Sequence, residues 1–221
     1  MTAASTAQSA AATMNRQYRF QRHIYDATRT HYLKWRQRLI DDLKIEDGNV
    51  VEIACGTGWN LIRAAKAYPA ARCFGLDIST EMLATARTKI AAEGLSSTIK
   101  LAQGDATAFD LDHLFGFEKA DRILISYALS MIPEWPAVIE RAATSLTPQG
   151  ALHIVDFGPM DRMSRLSKRM LRRWLAHYNV TPREDLQSVL LALASRHDLA
   201  VMVEHSRRGY SIYAILRRQH A

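Results

Sequence analysis

A chain of 221 residues with a hydrophobic fraction of 48% is long enough to form one medium-sized domain with a sizeable core. No apolar run reaches the roughly 20 residues that cross a bilayer, which excludes a membrane-spanning helix. The net charge of +7 is concentrated in residues 16–38 and 162–183, which each carry seven basic residues and together only one acid, Asp26. Such clusters predict an anionic partner, either nucleic acid or the surface of an anionic membrane.

The first part of the chain is predicted to lie outside the main fold. Residues 1–13 are mainly Ala, Ser and Thr and lack the basic start and apolar run of a secretory signal, so we expect a disordered tail over residues 1–14 and a cytoplasmic protein. Residues 15–44 have a helical pattern, with aromatic and apolar positions between arginines. Cys55 and Cys73 are expected to be free core thiols, and no Cys-x-x-Cys or His-x-x-x-His spacing supports a metal site.

Strand-like and helical patterns alternate through residues 47–221. Predicted strands cover residues 50–55, 71–77, 99–103, 120–126, 151–156, 200–205 and 210–216, and predicted helices cover 59–67, 79–93, 137–146, 161–177 and 184–197. Ser79 is the expected N-cap of the second of these helices. The last two strands are joined by only four residues, so they can form only an antiparallel hairpin. The sequence therefore predicts an α/β, Rossmann-like fold with a mostly parallel seven-stranded sheet.

The turn after the first predicted strand carries two glycines, Gly56 and Gly58, where an open α/β sheet binds its ligand. Glycine there lets the backbone approach a ligand closely. Three carboxylates accompany the turn. Glu52 precedes it, Asp77 ends the second strand where it can accept both ribose hydroxyls of a nucleoside, and Asp105 follows the third strand where it can accept from an adenine amino group.

A dinucleotide-binding protein shares the glycines and the carboxylate after the second strand. However, the turn continues with Trp59 and has no third glycine at the Gly-x-Gly-x-x-Gly spacing. Trp59 would crowd a pyrophosphate at the helix N-terminus, whereas S-adenosylmethionine has no phosphate. The residues favour a methyltransferase over a dehydrogenase.

Three motifs, at residues 52–58, 75–83 and 104–106, resemble motifs I, II and III of the class I methyltransferases, and the resemblance extends over residues 48–157. It implies the Rossmann-like methyltransferase fold and S-adenosylmethionine as cofactor. Ala54 departs from the pattern, because the family often has its first glycine there. The resemblance implies that Ile78 and Met82 pack on the adenine and that Ala54 and Ser126 offer carbonyls to the cofactor ammonium. The full expected cofactor set is Glu52, Ala54, Gly56, Gly58, Asp77, Ile78, Met82, Asp105, Ala106 and Ser126.

The segment before this domain points to a substrate. Residues 22–38, beginning Arg-His-Ile-Tyr-Asp-Ala-Thr-Arg, resemble the opening of the diacylglyceryl-homoserine N-methyltransferases of betaine-lipid synthesis, and more loosely bacterial phosphatidylethanolamine N-methyltransferases. The resemblance implies three successive methylations of a lipid headgroup amine. It also implies that residues 15–46 form a helical lid that faces the membrane.

N-methylation requires particular residue types. The amine attacks only when neutral, so an acceptor must take its proton, and aromatic rings stabilise the cationic product. Tyr25 and Tyr127 are our candidates for the aromatic contacts, and Asp26 is a candidate base. The tyrosines of the lid segment could instead form the apolar stripe of a helix packed on the sheet. Arg36 or Arg38 could reach the cofactor carboxylate or could lie on a solvated helix face.

A basic amphipathic insertion is predicted at residues 160–180. Met163, Leu166, Met170 and Trp174 follow helical spacing, and Arg or Lys fill much of the remainder, which is typical of an interfacial helix. The alternative is that the stripe faces the protein core and the charges solvate the back of the helix.

Two other classes of protein compete with a lipid methyltransferase. An RNA methyltransferase would also use basic charge, but no RNA-binding module or Asn/Asp-Pro-Pro-Tyr motif is found, and residues 126–133 are largely apolar. A non-catalytic membrane-binding protein would not need the intact set of cofactor residues. We therefore expect a membrane lipid substrate, an anionic membrane surface contacted through residues 16–38 and 162–183, and no nucleic acid. The expected location is the inner face of the membrane.

Overall fold

Apolar runs rich in Val, Ile and Leu form the strands of the computed structural model, which describes residues 35–218. The strands are β1 (Gly48–Ile53), β2 (Ala71–Asp77), β3 (Ile99–Gln103), β4 (Ala120–Ser126), β5 (Leu146–Phe157), β6 (Leu199–His205) and β7 (Ser211–Arg218). The helices are α1 (Arg36–Asp41), α2 (Trp59–Ala67), α3 (Thr80–Ala92), α4 (Leu111–Phe115), α5 (Trp135–Thr144), α6 (Arg165–His177) and α7 (Leu186–His197). A 3₁₀ turn covers Leu129–Met131. Within residues 35–218, no helix is both long and apolar enough to cross a bilayer.

The seven strands form one sheet in the order β3-β2-β1-β4-β5-β7-β6. β1 pairs in parallel with both β2 and β4, while β7 runs antiparallel to β5 and β6. The predicted fold class, including the antiparallel hairpin at the end of the chain, is confirmed. The strand order reverses at β1 and β4, so the crevice at the carboxyl ends of these strands is the expected ligand site.

Both faces of the sheet are covered by helices. On one face, Val51 and its neighbours pack against α5 and α7. On the other face, Val50 and Leu124 pack against α1, α2 and α3. Because β1 is buried on both sides, its successive residues Val50 and Val51 are both apolar rather than alternating with polar residues.

Several element boundaries differ from those predicted. In the described part of the segment predicted to be helical, residues 15–44, the observed helix is shorter than expected. Trp35 is left-handed with φ of 75°, and α1 covers only Arg36–Asp41. Residues 1–34, with the predicted tail, Tyr25 and Asp26, lie outside the described residues, and the domain boundary at residue 46 stays a prediction. Helix α5 begins before its predicted start because Pro136 is accommodated in the first helical turn.

Two further differences arise from local capping and pairing. The short helix α4 was not predicted, and Asp110 caps it by accepting from the backbone N–H groups of Asp112 and His113. Strand β5 starts earlier than predicted, because Leu146 pairs with Ala120 ahead of an irregularity in the register. By contrast, Ser79 caps α3 as predicted.

The basic insertion forms α6, and its apolar residues divide between two faces. Leu166, Met170 and Trp174 are exposed by 70%, 66% and 43%. Met163 precedes the helix and packs against the core, together with Leu171 of α6. Three of the four predicted stripe residues therefore face away from the protein core.

His153 lies in the middle of β5 and is fully buried. Neither ring nitrogen has a hydrogen-bond partner among the described residues. Burial, with the charges of Arg122 and Arg217, lowers the pKa of His153 to about 3. In the unfolded chain His153 has its ordinary pKa of about 6.5 and binds a proton below that pH, whereas in the folded chain it stays neutral. The contribution of His153 to the free energy of unfolding is therefore fully present above that pH and is lost as the pH falls toward 3.

We predict that His153→Leu flattens this dependence. Between pH 7 and pH 5 the wild-type chain should lose about 2 kcal/mol of unfolding free energy more than the variant, from the proton taken up by the unfolded histidine. Urea unfolding at the two pH values measures this difference. The exposed His113→Leu variant should keep the wild-type slope. An equal slope in His153→Leu and wild type would contradict the prediction.

Candidate functional site

The turn between β1 and α2 forms the floor of the site. Gly56 and Gly58 adopt left-handed φ values of 55° and 75°. A Cβ at Gly58 would approach the Cβ of Ala86 to 3.3 Å, whereas a Cβ at Gly56 would meet nothing within 4 Å. The backbone at Gly56 therefore borders open space, as a close-lying ligand requires. Ala54 also has a positive φ, 55°, which explains why glycine is common there in the resembling family.

Asp77, at the end of β2, connects this turn to the next one. Its Oδ2 accepts from the Gly56 N–H at 2.8 Å, and its Oδ1 accepts from the Ser79 N–H at 2.9 Å. Burial raises the pKa of Asp77, and the backbone donors act in the opposite direction. Each carboxylate oxygen has two lone pairs, so both can still accept a ribose hydroxyl.

A second polar contact joins β1 to the start of α2. Glu52 is buried, and its Oε1 accepts from Asn60 Nδ2 at 2.5 Å. Its Oε2 has no hydrogen-bond partner among residues 35–218. Burial raises the pKa of Glu52 to about 8. An orphaned buried carboxylate oxygen beside the glycine turn fits a cationic group, and the cofactor ammonium is such a group.

The structure separates the two arginines of α1. Arg36 Nε donates to Asn60 Oδ1 at 3.1 Å, and its guanidinium lies 4.1 Å from the centre of the Trp59 ring. Arg38 instead forms two hydrogen bonds with Glu204, at 2.7 and 2.6 Å, and one with Asp42. Arg36 therefore lies at the glycine turn, and Arg38 ties α1 to β6. Of the two alternatives, only Arg36 is placed to reach a cofactor carboxylate.

The remaining predicted cofactor residues lie along the same edge of the sheet. Asp105 follows β3, and its Oδ1 accepts from the backbone and hydroxyl of Thr107 at 2.8 and 2.7 Å. Ala106 and Met82 are buried, and Ile78 is half-buried. These positions are compatible with an adenine pocket at the ends of β2 and β3, and their cofactor contacts stay predictions.

The end of β4 holds Ser126 and Tyr127. Tyr127 has a left-handed φ of 52°, and its hydroxyl shares a hydrogen bond of 3.0 Å with Ser211 Oγ. Its ring is only 2% exposed and packs edge-on against Phe157, with the ring centres 5.0 Å apart. Burial raises the pKa of Tyr127. In this conformation Tyr127 is a packing residue at the edge of the site, and its contact with a substrate amine stays a prediction.

Asp156 is a polar residue of this edge that the sequence analysis did not select. Its Oδ2 accepts from the Ser130 N–H at 3.3 Å, and its Oδ1 accepts from the Phe157 N–H at 2.7 Å. It is fully buried, which raises its pKa to about 6. The available signal was its position, because Asp156 ends the strand predicted over residues 151–156 in the same way as Asp77 ends the one predicted over residues 71–77.

The described part of the chain contains no cluster of side chains that could hold a metal ion. Within residues 35–218, no three His, Cys, Asp or Glu side chains are grouped as a metal site requires. Cys55 and Cys73 are both buried free thiols.

Comparison with known sequences finds similarity in the central part of the chain. Residues 50–150 match the family model described as a methyltransferase domain. A demethylmenaquinone methyltransferase of Listeria monocytogenes is 28% identical over 127 residues, which are 57% of this chain and 52% of the relative. The chain thus matches about half the length of such curated relatives.

Solved structures share the fold. An O-methyltransferase family protein from Burkholderia thailandensis matches with a TM-score of 0.69 and 18% identity, covering 92% of this chain and 62% of the other. A putative methyltransferase in complex with the Trm112 activator of Haloferax volcanii matches with a TM-score of 0.70 and 14% identity, covering 94% and 98%. At these identities the likeness shows the architecture alone.

We predict that Asp77→Asn weakens S-adenosylmethionine binding about 10-fold to 100-fold, because hydrogen bonds to a charged acceptor are lost. Isothermal titration calorimetry of the purified chain measures the effect. Asp47→Asn, an exposed change in the loop before β1, is the matched control and should bind as wild type. Unchanged affinity in Asp77→Asn would refute the assignment of the ribose site.

Proposed function

We propose that the chain methylates the headgroup amine of a membrane lipid. The premise is that residues 50–150 are a class I methyltransferase domain with S-adenosylmethionine as cofactor. The substrate that we expect is diacylglyceryl-homoserine, methylated three times to diacylglyceryl-trimethylhomoserine. The enzyme would act as a peripheral protein at the inner face of the membrane.

S-adenosylmethionine, when bound, supplies an electrophilic methyl group on a sulfonium. The chain's own residues would hold it by its polar ends. Asp77 would accept the ribose hydroxyls, Glu52 Oε2 would face the ammonium, and Arg36 would pair with the carboxylate. The placement of these groups around the turn at Gly56 supports each role.

The observation that carries the lipid-amine proposal is the composition of the edge at the ends of β4 and β5. Aromatic rings of Tyr127, Phe157 and Tyr210 form an edge-to-face row, with centres 5.0 and 5.5 Å apart, near the carboxylate of Asp156. Apolar surroundings favour the neutral, nucleophilic form of an amine, and aromatic rings stabilise the cation that methylation creates.

A second candidate substrate is a quinone. The relatives at 28% identity are named for demethylmenaquinone, and an apolar edge also suits an aromatic acceptor. The two candidates differ in the bond formed, which is N–C for the amine and C–C for a ring carbon.

We predict that the purified chain transfers radiolabelled methyl groups from S-adenosylmethionine to diacylglyceryl-homoserine in detergent micelles. Mass spectrometry should detect products with one, two and three added methyl groups. Parallel reactions contain phosphatidylethanolamine or reduced demethylmenaquinone, and Asp77→Asn at limiting cofactor is the negative control. Label in the quinol alone would overturn the amine assignment in favour of the second candidate.

Asp156 should position this edge through Ser130. Only the ionised carboxylate accepts fully from the Ser130 N–H, so activity should fall as the pH drops through the Asp156 pKa of about 6. We predict that Asp156→Asn loses the inflection near pH 6 from the acid limb, while the effect of amine protonation remains, and lowers kcat about 10-fold, because an amide is a weaker acceptor at the same place.

The measurement is a pH profile of methyl transfer with each variant. Asp198→Asn, an exposed change after α7, should retain the wild-type profile. Affinity for S-adenosylmethionine should be equal in all three proteins. An unaltered acid limb in Asp156→Asn would contradict the positioning role.

A further inference from the structure

Helix α6 presents an apolar row that the protein does not cover. Leu166, Met170 and Trp174 recur every four residues and are exposed by 70%, 66% and 43%. The opposite side of the helix anchors it, since Leu175 is buried and Leu171 packs against the core. The outer row is thus held in place by an inner one rather than exposed by loose packing.

A row of arginines runs beside the apolar row. Arg165, Arg169 and Arg173 also recur every four residues, and all three are exposed. Within residues 35–218, no carboxylate pairs with them. The neighbouring Lys168 and Arg172 differ, because both pair with Glu184. The outward charge of α6 is therefore uncompensated where it adjoins the apolar row.

We propose that this face of α6 is a docking surface for a bilayer that contains anionic phospholipid. The apolar row would enter the boundary between headgroups and acyl chains, with the ring of Trp174 at headgroup depth. The arginines would contact lipid phosphates at the same level.

Docking through α6 would bring the candidate site to the membrane. The segment after α6 is bound to the turn that follows β4. The Thr181 N–H donates to Ser130 O at 2.8 Å, and Arg183 donates to the carbonyls of Leu129 and Ile132 at 3.1 and 2.8 Å. The inference rests on the proposed function only in taking the substrate to lie in the bilayer, and it applies equally to the lipid amine and to a quinone.

Charge complementarity alone would also fit RNA. However, RNA phosphates would contact the arginines and leave Leu166 and Met170 in water, whereas a bilayer satisfies both rows. Binding of RNA in place of vesicles is therefore a distinct outcome that would overturn the proposal.

The charge test uses co-sedimentation of the full chain with vesicles of phosphatidylglycerol and phosphatidylcholine, compared with phosphatidylcholine alone. Arg169→Glu/Arg173→Glu should weaken binding to the anionic vesicles about 25-fold, at about fivefold for each basic residue. Arg72→Glu/Lys100→Glu makes the same change of charge at exposed sites on β2 and β3 and should bind nearly as wild type. Equal losses in the two variants would indicate a general effect of net charge and overturn the proposal.

The insertion test changes the apolar row. Leu166→Gln/Met170→Gln should abolish most vesicle binding, whereas Leu191→Gln/Met202→Gln, at two other exposed apolar side chains, should not. Brominated lipid should quench tryptophan fluorescence in the wild type and lose that quenching in Trp174→Phe. Wild-type quenching in Trp174→Phe would exclude insertion of α6.

The outcomes separate this inference from the proposed function. Vesicle binding through α6 without methylation of any lipid amine would leave the docking surface standing and reject the amine substrate. Methylation of micellar diacylglyceryl-homoserine without vesicle binding would support the amine substrate and reject the docking surface. Calorimetric affinity for S-adenosylmethionine, measured for every α6 variant, verifies that each one is folded.

Discussion

Two backbone N–H groups, of Gly56 and Ser79, converge on the carboxylate of Asp77, and the geometry of the candidate site depends on this pair of hydrogen bonds. They join the turn after β1 to the turn after β2 at the point where the strand order reverses. Because both donors are backbone groups, the carboxylate keeps lone pairs for a ligand while it fixes the two turns. The left-handed backbone at Ala54, Gly56 and Gly58 is the conformation that allows this convergence.

Burial raises the pKa values of the carboxyl groups along this edge. Glu52 has one oxygen held by Asn60 and the other without a partner among residues 35–218. A buried carboxylate with a raised pKa favours the approach of a cation, and a bound ammonium would in turn lower that pKa. Asp156 differs, because both of its oxygens accept from the backbone, so its burial serves to fix the turn after β4.

The arginines of the described chain serve different roles. Arg38 ties α1 to β6 through Glu204, and Arg36 lies over Trp59 at the glycine turn. Arg165 and its two neighbours on α6 face outward beside apolar side chains. A count of charges cannot separate these roles, because the partner of each guanidinium is set by residues far away in the sequence.

The sequence by itself determined the sheet, the position of the glycine turn and the ends of β2, β3 and β4. These follow from local causes, namely the apolar runs of doubly buried strands, the glycine requirement of a left-handed turn and the Ser79 cap. Only the tertiary structure decided what depends on distant contacts. Examples are the left-handed backbone of Trp35 before α1, the place of Asp156 under the β4 turn and the outward direction of Leu166 and Met170. Helical spacing defines a stripe, but which side of the helix is buried depends on the surface against which it packs.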